Sequence, residues 1–174
     1  MKIIPFERSY WVIPGRLLAG EIAAAMNREN TLIKLESLAE CGIKTIINLM
    51  GADETDHFDN LFYDYSQHVG DYGMEMKRMP VRDLSVPTEK QMTEILNMID
   101  ACHAENKPVY VHCWGGIGRT GTVVGCYLIR HGYALPENVL PMIEYLMRTV
   151  NTNGRTSPET IEQIEFVQNR KLKQ

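Results

Sequence analysis

A glycine-rich decapeptide constrains the fold of this chain more than any other segment. It reads HCWGGIGRTG and runs from His112 to Gly121. The preceding residues 108–111 (PVYV) have the apolar character of a buried strand, and residues 120–130 (TGTVVGCYLIR) have that of a helix. A strand, a tight glycine loop and a helix in direct succession are typical of α/β domains, in which such loops lie at the carboxyl edge of the sheet.

The residue types in this loop are suited to binding a tetrahedral oxyanion. Its glycines can take positive φ, so successive backbone N–H groups can converge on one anion without clashes of Cβ atoms. The N-terminus of the following helix adds positive potential, and Arg119 has planar donors that can hold two phosphate oxygens at once. The predicted phosphate-binding residues are Trp114, Gly115, Gly116, Ile117, Gly118 and Arg119.

Three neighbouring residues add chemistry to the loop. Cys113 is predicted to be a thiolate nucleophile that attacks phosphorus. Thr120 can hydrogen-bond the sulfur and help it leave when the thiophosphate intermediate breaks down. His112 is expected to support the loop through backbone hydrogen bonds, because a thiolate needs no general base. The alternative is a tight strand-to-helix turn with a buried cysteine and no catalysis.

The HCWGGIGRTG string resembles the signature of the cysteine-dependent protein tyrosine phosphatase superfamily, and the compact length of 174 residues resembles its dual-specificity-like branch. The resemblance implies an α/β fold with a central, mostly parallel twisted sheet, helices on both faces and an N-terminal β-hairpin. It also implies one catalytic domain over residues 1–174 and catalysis through a cysteinyl phosphate, with no metal ion and no other cofactor.

The chemistry of that family requires a carboxylic acid, located upstream of the cysteine, that protonates the leaving oxygen. Asp83 fits this role, because it follows residues 76–81 (MKRMPV), which are predicted to form a short strand ending at the site. The alternative is that Asp83 caps a turn. Thr88 and Gln91 form a predicted capping box for the next helix. The competing acids lie in a polar, loop-rich stretch and are Asp53, Asp56, Asp59, Asp64 and Asp71.

A second resemblance lies in the segment SPETIEQ, which begins at Ser157. It is similar to the QTxxQ element of the family, whose glutamines position the hydrolytic water. Ser157 is predicted to be the N-cap of a helix with Pro158 as its first residue. Gln163 fits the family pattern, but Glu159 stands where the first glutamine is usual. Gln163 is therefore either a supporting residue that positions water or a polar residue on a helix face.

The remaining sequence alternates between predicted strands and helices, which favours parallel pairing. A hairpin is predicted over residues 11–20, a central strand over 43–50, and helices over 30–41, 88–104 and 136–150. Residues 51–73 are rich in aromatic and acidic side chains. They could form a lid that faces the substrate, but we expect an ordinary connection whose aromatic side chains pack inward.

Composition indicates one core and a reducing environment. A chain with 44% hydrophobic residues can bury a sizeable core, and no run approaches the ~20 apolar residues of a membrane span. The start, MKIIPFERSYW, lacks the apolar stretch of a signal peptide. The cysteines show no paired or metal-binding spacing and are Cys41, Cys102, Cys113 and Cys126. Because Cys113 must stay reduced, we expect a cytoplasmic location.

Charge narrows the expected partners. A formal net charge of −4 gives no general attraction to nucleic acids or membranes, so neither is expected as a partner. The variable loop positions are uncharged, and Trp114 and Ile117 would give the rim an apolar character. We therefore expect singly phosphorylated aryl substrates, with phosphotyrosine ahead of phosphoserine and phosphothreonine in a protein, or a small aryl phosphate. Phosphate or vanadate is expected to bind at the same loop.

Three other functions stay open at this point. The first is an inositol-phosphate phosphatase of the same superfamily, although members of that kind often carry lysines in the loop. The second is a rhodanese-like or arsenate-reductase-like enzyme. Sulfur transfer needs no acid at Asp83, and arsenate reduction needs a second cysteine nearby, for which Cys126 is the candidate. The third is a phosphate-binding module without catalysis, which would need neither the thiol nor the acid.

Overall fold

The computed structural model describes residues 3–172, so the predicted domain of residues 1–174 extends two residues further at each end. The described strands are β1 (Ser9–Ile13), β2 (Leu17–Gly20), β3 (Thr45–Asn48), β4 (Glu75–Arg78) and β5 (Val109–His112). The α-helices are α1 (Arg28–Glu40), α2 (Glu89–Ala104), α3 (Gly118–Arg130), α4 (Val139–Leu146) and α5 (Ile161–Gln168). A 3₁₀-helix spans Val69–Tyr72.

The strands form one mixed sheet in the order β1-β2-β5-β3-β4. β1 and β2 pair antiparallel as the predicted N-terminal hairpin, whereas β2–β5, β5–β3 and β3–β4 are parallel pairs. Leu17 of β2 and Thr45 of β3 both align with Val109 of β5, so the three central strands start level. The predicted mostly parallel α/β sheet with a hairpin at one edge is confirmed.

Crossovers in opposite directions place helices on both faces of the sheet. The connection from β2 to β3 contains α1 and passes β5 in one direction, whereas the connection from β4 to β5 contains α2 and passes β3 in the other. Because parallel crossovers are right-handed, α1 and α2 lie on opposite faces. α3 packs against α2, α4 and α5, so these four helices form the larger layer.

The core lies between the central strands and α3. Every residue of β2, β3 and β5 is buried, as expected for parallel strands covered on both sides. α3 is buried from Gly118 to Ile129, which makes it a central helix rather than a surface helix. α2 buries its predicted apolar face, and Thr88 and Gln91 form the predicted capping box. No helix within residues 3–172 has both the length and the apolar character needed to cross a membrane.

Several predicted boundaries were wrong. α4 (Val139–Leu146) is shorter than the predicted helix over 136–150, and β3 (Thr45–Asn48) is shorter than the predicted strand over 43–50. Two further differences lie near the site. β4 ends at Arg78 rather than at residue 81, and Pro80, which has no backbone N–H, follows it. The last helix begins at Ile161, and its N-cap is Thr160, whose hydroxyl accepts from the N–H of Gln163. Ser157 is therefore not a helix cap. Its hydroxyl instead donates to the carbonyl of Ile117 at 2.8 Å, which fixes the C-terminal segment to the glycine loop.

Candidate active site

The parallel order of β5, β3 and β4 brings three loops to one edge of the sheet. β5 leads into Cys113, β3 leads towards Glu54, and β4 leads towards Asp83. Backbone hydrogen bonds fix the strand ends, since Leu49 N–H donates to the carbonyl of His112 and Val81 N–H to that of Leu49. A cavity of about 160 Å³ opens at this edge, and both Cys113 and Asp83 line it.

The glycine loop presents donors to this cavity. Within the described part of the chain, the backbone N–H groups of residues 114–117 have no protein acceptor. All three loop glycines could take positive φ, but of the three Gly116 alone does so, at 73°. A Cβ on Gly116 would also overlap the backbone of Gly20. The loop is therefore shaped to deliver several N–H groups to one anion.

Cys113 lies at the floor of the loop. Its side chain is buried, and the hydroxyl of Thr120 donates to its Sγ at 3.1 Å. Thr120 is fully buried within the first turn of α3. The helix N-terminus and the convergent N–H groups place positive electrostatic potential around this sulfur.

His112 links the end of β5 to the loop. Its Nδ1 lies 2.9 Å from the carbonyl oxygen of Cys113, and its Nε2 lies 2.6 Å from the hydroxyl of Tyr65. Burial lowers the pKa of His112 from 6.5 to about 3, so the ring is neutral at pH 7. Burial also raises the pKa of Tyr65 well above its usual value, so its hydroxyl keeps its proton. Tyr65 therefore donates to Nε2 of His112, and Nδ1–H of His112 donates to the carbonyl oxygen of Cys113.

Arg119 is the largest fully buried side chain at the site, with 1% of the side chain exposed. It forms a forked ion pair with Glu54, from Nη1 at 2.6 Å and from Nη2 at 2.9 Å. Nη1 also donates to the carbonyl of Val81 at 3.0 Å, and Nη2 lies 2.9 Å from a carboxylate oxygen of Asp83. Its Nε is buried without a partner among the described residues. The guanidinium thus has a fixed plane and an unused donor.

Asp83 lies on an exposed loop that is tied to α5. More than half of its side chain (53%) is exposed. The next residue, Leu84, has φ of 58°, which is an unfavourable region for a leucine. Gln163 Nε2 donates to the carbonyl of Ser85 at 3.1 Å. The carboxylate of Asp83 is therefore exposed to solvent, while the backbone of its loop is held by α5.

Gln163 is fully buried and mostly committed to backbone groups. Its Oε1 accepts from the N–H groups of Glu159 and Thr160, at 3.1 and 3.2 Å. A Cβ on Gly118 would lie 2.9 Å from that oxygen, so the glycine allows α5 to approach the loop. Gln163 lines the cavity, and one N–H of its amide is left for a water molecule.

The rim contains side chains from distant segments. Trp114 is half-buried and contacts the rings of His57 and Phe62, with centroid distances of 4.4 and 5.8 Å. Ile117 is buried but lines the cavity. Arg155, from the segment that precedes α5, lies next to Gly115. The aromatic rings of Trp114 and His57 and the cation of Arg155 therefore surround the entrance.

Comparison with known proteins identifies the family. The family model for Tc-R-P, a DSP-PTPase phosphatase of polymorphic toxin systems, matches residues 22–133, which is more than half of the chain. The chain belongs to this family. The predicted membership of the cysteine-dependent protein tyrosine phosphatase superfamily, in its dual-specificity-like branch, is confirmed, as is the enzyme class of hydrolase.

Relatives of this DSP-PTPase phosphatase support the same assignment. Dual specificity protein phosphatase CDC14B of Mus musculus is 28% identical over 128 residues, covering 70% of this chain and 24% of that protein. Cyclin-dependent kinase inhibitor 3 of Sus scrofa is 29% identical over 142 residues, covering 80% of this chain and 63% of that protein. The chain thus spans less than two thirds of both relatives.

A solved structure shows the same fold. The crystal structure of Tk-PTP in the active form matches this phosphatase with a TM-score of 0.72 and 23% identity, over 93% of this chain and 95% of that chain.

In the DSP-PTPase site, Arg119 has a carboxylate partner that the sequence did not predict, Glu54. The structure brings Cys113, Arg119, Asp83 and Gln163 to one cavity. Thr120 and His112 do not line it but hydrogen-bond to Cys113. Glu54 was missed, although a buried arginine requires a carboxylate partner and β3 ends at this edge. No group of three or more His, Cys, Asp or Glu side chains within residues 3–172 is arranged to hold a metal ion.

Residues 51–73 of the phosphatase combine both interpretations considered from the sequence. Tyr65 and Val69 are buried, as expected for an ordinary connection. Phe58, however, is 83% exposed, Glu54 forms an ion pair with Arg119, and His57 lines the catalytic cavity. The segment is therefore part of the site rather than only a connection.

Proposed function

We propose that this protein hydrolyses phosphate monoesters, phosphotyrosine ahead of phosphoserine and phosphothreonine, through a cysteinyl-phosphate intermediate, with residues 3–172 acting as one catalytic domain. The observation that carries this proposal is the arrangement around Arg119. Its guanidinium is 2.9 Å from Asp83, at the mouth of the loop whose floor is Cys113. A nucleophile, an anion cradle and an acid therefore share one cavity.

In the first step, the thiolate of Cys113 attacks phosphorus and the bond to the ester oxygen breaks. The phosphoryl oxygens accept from the N–H groups of residues 114–117 and from Nε and Nη2 of Arg119. Because phosphate competes with Asp83 for Nη2, binding frees the carboxyl group to face the ester oxygen. Protonated Asp83 then gives its proton to the leaving alcohol or phenol.

In the second step, water attacks the phosphorus of the cysteinyl phosphate and the P–S bond breaks. Asp83, now a carboxylate, accepts a proton from the water. The hydroxyl of Thr120, 3.1 Å from Sγ, stabilises the thiolate as it leaves. The free N–H of the Gln163 amide supports a role in positioning this water, while its other bonds hold the acid loop in place. The chemistry uses no metal ion and no cofactor.

The apolar rim supports the preference for aryl esters. Trp114 and His57 form an aromatic side to the entrance, and Phe62 packs against Trp114. A phosphotyrosine ring inserts a flat apolar surface between the phosphate and the peptide backbone, whereas phosphoserine has a single methylene there. Contact with the ring therefore favours the longer aryl side chain.

Burial of Cys126 argues against an arsenate-reductase-like activity. That chemistry needs a second thiol able to react with Cys113. Burial raises the pKa of Cys126 to about 12, and the residue is fully enclosed within α3. All four cysteines of the chain lie within the described residues and are free thiols. Since Cys113 must stay reduced to act, we further propose that the protein works in the cytoplasm.

The test of the proposed function is a substrate panel on purified protein. Matched peptides carrying phosphotyrosine, phosphoserine or phosphothreonine are compared with p-nitrophenyl phosphate and an inositol polyphosphate at one ionic strength. The highest kcat/KM is expected for a phosphotyrosyl peptide. An inositol polyphosphate that exceeds this peptide by about tenfold, which corresponds to ~1.4 kcal/mol, would refute the aryl preference. Failure to hydrolyse any phosphoester would refute the activity itself.

A further inference from the structure

Arg155 lies against the phosphate-binding loop, although it is 42 residues after Cys113 in the sequence. Its Nη2 is 3.4 Å from the position that a Cβ on Gly115 would occupy. Asn153 and Gly154 both have positive φ and turn the chain at this point. The N–H and Nε of Arg155 then both donate to the carbonyl of Thr152, at 3.2 and 3.3 Å. The backbone therefore directs this guanidinium at the loop.

The two arginines that line the catalytic cavity are bound very differently. Arg119 is buried and shared between Glu54 and Asp83. Arg155 has 41% of its side chain exposed and one carboxylate partner, Glu159, at 3.4 Å. Its Nη2, the nitrogen closest to the loop, donates to no acceptor among residues 3–172. Arg155 therefore has a free donor and an incompletely neutralised charge at the entrance.

We propose that Arg155 binds a second anionic group of the substrate, next to the phosphate held by the loop. The preferred substrate is then a phosphotyrosyl peptide with a carboxylate or a second phosphate on a neighbouring residue. This inference rests on the proposed function, because it assigns a substrate class to the same site. The uncharged positions of the loop predicted an apolar rim. Arg155, which comes from another segment, adds a positive charge to that rim.

The surroundings of Arg155 leave room for such a peptide. Arg155 also lines a second, larger cavity of about 540 Å³, bordered by Met147, Val150 and Ile164. The catalytic cavity and the larger one therefore meet at this guanidinium. Glu159 competes with any incoming anion for the same donors, so its charge sets how strongly Arg155 binds the substrate.

The experiment compares three peptides that share one phosphotyrosine. The residues on both sides of it are glutamine, glutamate or phosphoserine, and loss of the tyrosine phosphate is followed by tyrosine fluorescence. The glutamate and phosphoserine peptides distinguish the two sources of the second anion. The variants are Arg155→Met, Glu159→Gln and the matched control Arg148→Met. Arg148 lines the larger cavity but not the catalytic one, and it donates to the carbonyl of Tyr145.

For the wild-type protein we expect kcat/KM to be about fivefold higher for the glutamate peptide than for the glutamine peptide at low salt, and higher again for the phosphoserine peptide. Both preferences should decrease at high salt. They should disappear in Arg155→Met, increase in Glu159→Gln and persist in Arg148→Met.

The inference would be overturned if the preferences for the glutamate and phosphoserine peptides persisted in Arg155→Met. It would also be overturned if Arg155→Met lowered kcat/KM equally for all three peptides. Either result would leave the proposed function intact. A preference that decreases in Glu159→Gln would also contradict it. If the wild-type protein hydrolyses neither these peptides nor p-nitrophenyl phosphate, the proposed function itself fails.

Discussion

The floor and the rim of the catalytic cavity are built in different ways. The floor, residues 112–121, is one continuous segment that is almost entirely buried between β5 and α3. The rim is assembled from residues 51–62, 82–85 and 151–159, which are loops separated along the chain and are partly exposed. The nucleophile and the phosphate-binding donors are therefore encoded in one local segment, whereas the acid Asp83 and the choice of substrate depend on contacts between distant loops.

The largest effect is expected at the floor. Cys113→Ser should lower kcat for p-nitrophenyl phosphate by roughly 10⁴-fold or more, because a hydroxyl replaces the thiolate nucleophile. The N–H groups and Arg119 remain, so vanadate should still bind, which calorimetry can measure. EDTA should leave the wild-type rate unchanged. Turnover by Cys113→Ser near the wild-type rate would show that the floor is not the source of the nucleophile.

The next effect links the floor to the rim. Asp83→Asn should lower kcat for an alkyl phosphate by roughly 10²- to 10⁴-fold, since the leaving oxygen then lacks its proton donor. The loss should be much smaller for p-nitrophenyl phosphate, whose leaving group needs less protonation. A kinetic comparison of the two esters checks this. Equal losses would point to another acid, and the aspartates between Asp53 and Asp71 would be tested next.

A third prediction concerns the stability of the floor. The pKa of His112 is about 3 in the folded protein and 6.5 without its surroundings, so the unfolded chain binds the proton more readily. The free energy of unfolding should therefore fall by about 2 kcal/mol from this group between pH 7 and pH 5. Urea unfolding at both pH values measures this change. His112→Asn should show a smaller dependence, and an equal dependence would exclude His112 as its source.

The smallest effect is expected at the rim. Glu54→Gln should lower kcat/KM by about tenfold, because the guanidinium of Arg119 loses the charged partner that fixes its plane. Asp53→Asn is the matched control, since Asp53 is exposed and does not contact Arg119. Steady-state kinetics with p-nitrophenyl phosphate distinguishes the two variants. Equal effects of both would mean that the segment acts through its overall charge.

The features that could be predicted from the sequence are those whose signals are local. The strand, loop and helix around Cys113, the capping box at Thr88 and the N-terminal hairpin each depend on residues a few positions apart. The fold class follows from these segments because parallel strands with right-handed crossovers allow few arrangements. Asp83 could also be located, since it follows a strand whose end lies at the site.

The features that could not be predicted depend on contacts across the chain. Glu54 lies in a stretch with several other acids, and only its contact with Arg119 distinguishes it from them. Arg155 approaches Gly115 after a turn at Asn153 and Gly154, both of which have positive φ. An Asn-Gly pair favours such a turn, but the local sequence does not show which distant segment Arg155 then contacts. Ser157 was predicted to cap a helix, but its hydroxyl bonds to Ile117 because α5 begins later.

The most direct test of covalent catalysis by Cys113 is the detection of the phosphoenzyme. Asp83→Asn is mixed with p-nitrophenyl phosphate, quenched in acid within one turnover and analysed by mass spectrometry of the intact protein and its peptides. The first step survives in this variant because the leaving group is good, whereas the second step is slowed. The cysteinyl-phosphate mechanism predicts one phosphoryl group, located on Cys113 and absent from the variant that also carries Cys113→Ser. Turnover without any protein-bound phosphate, or a phosphoryl group on another residue, would contradict it.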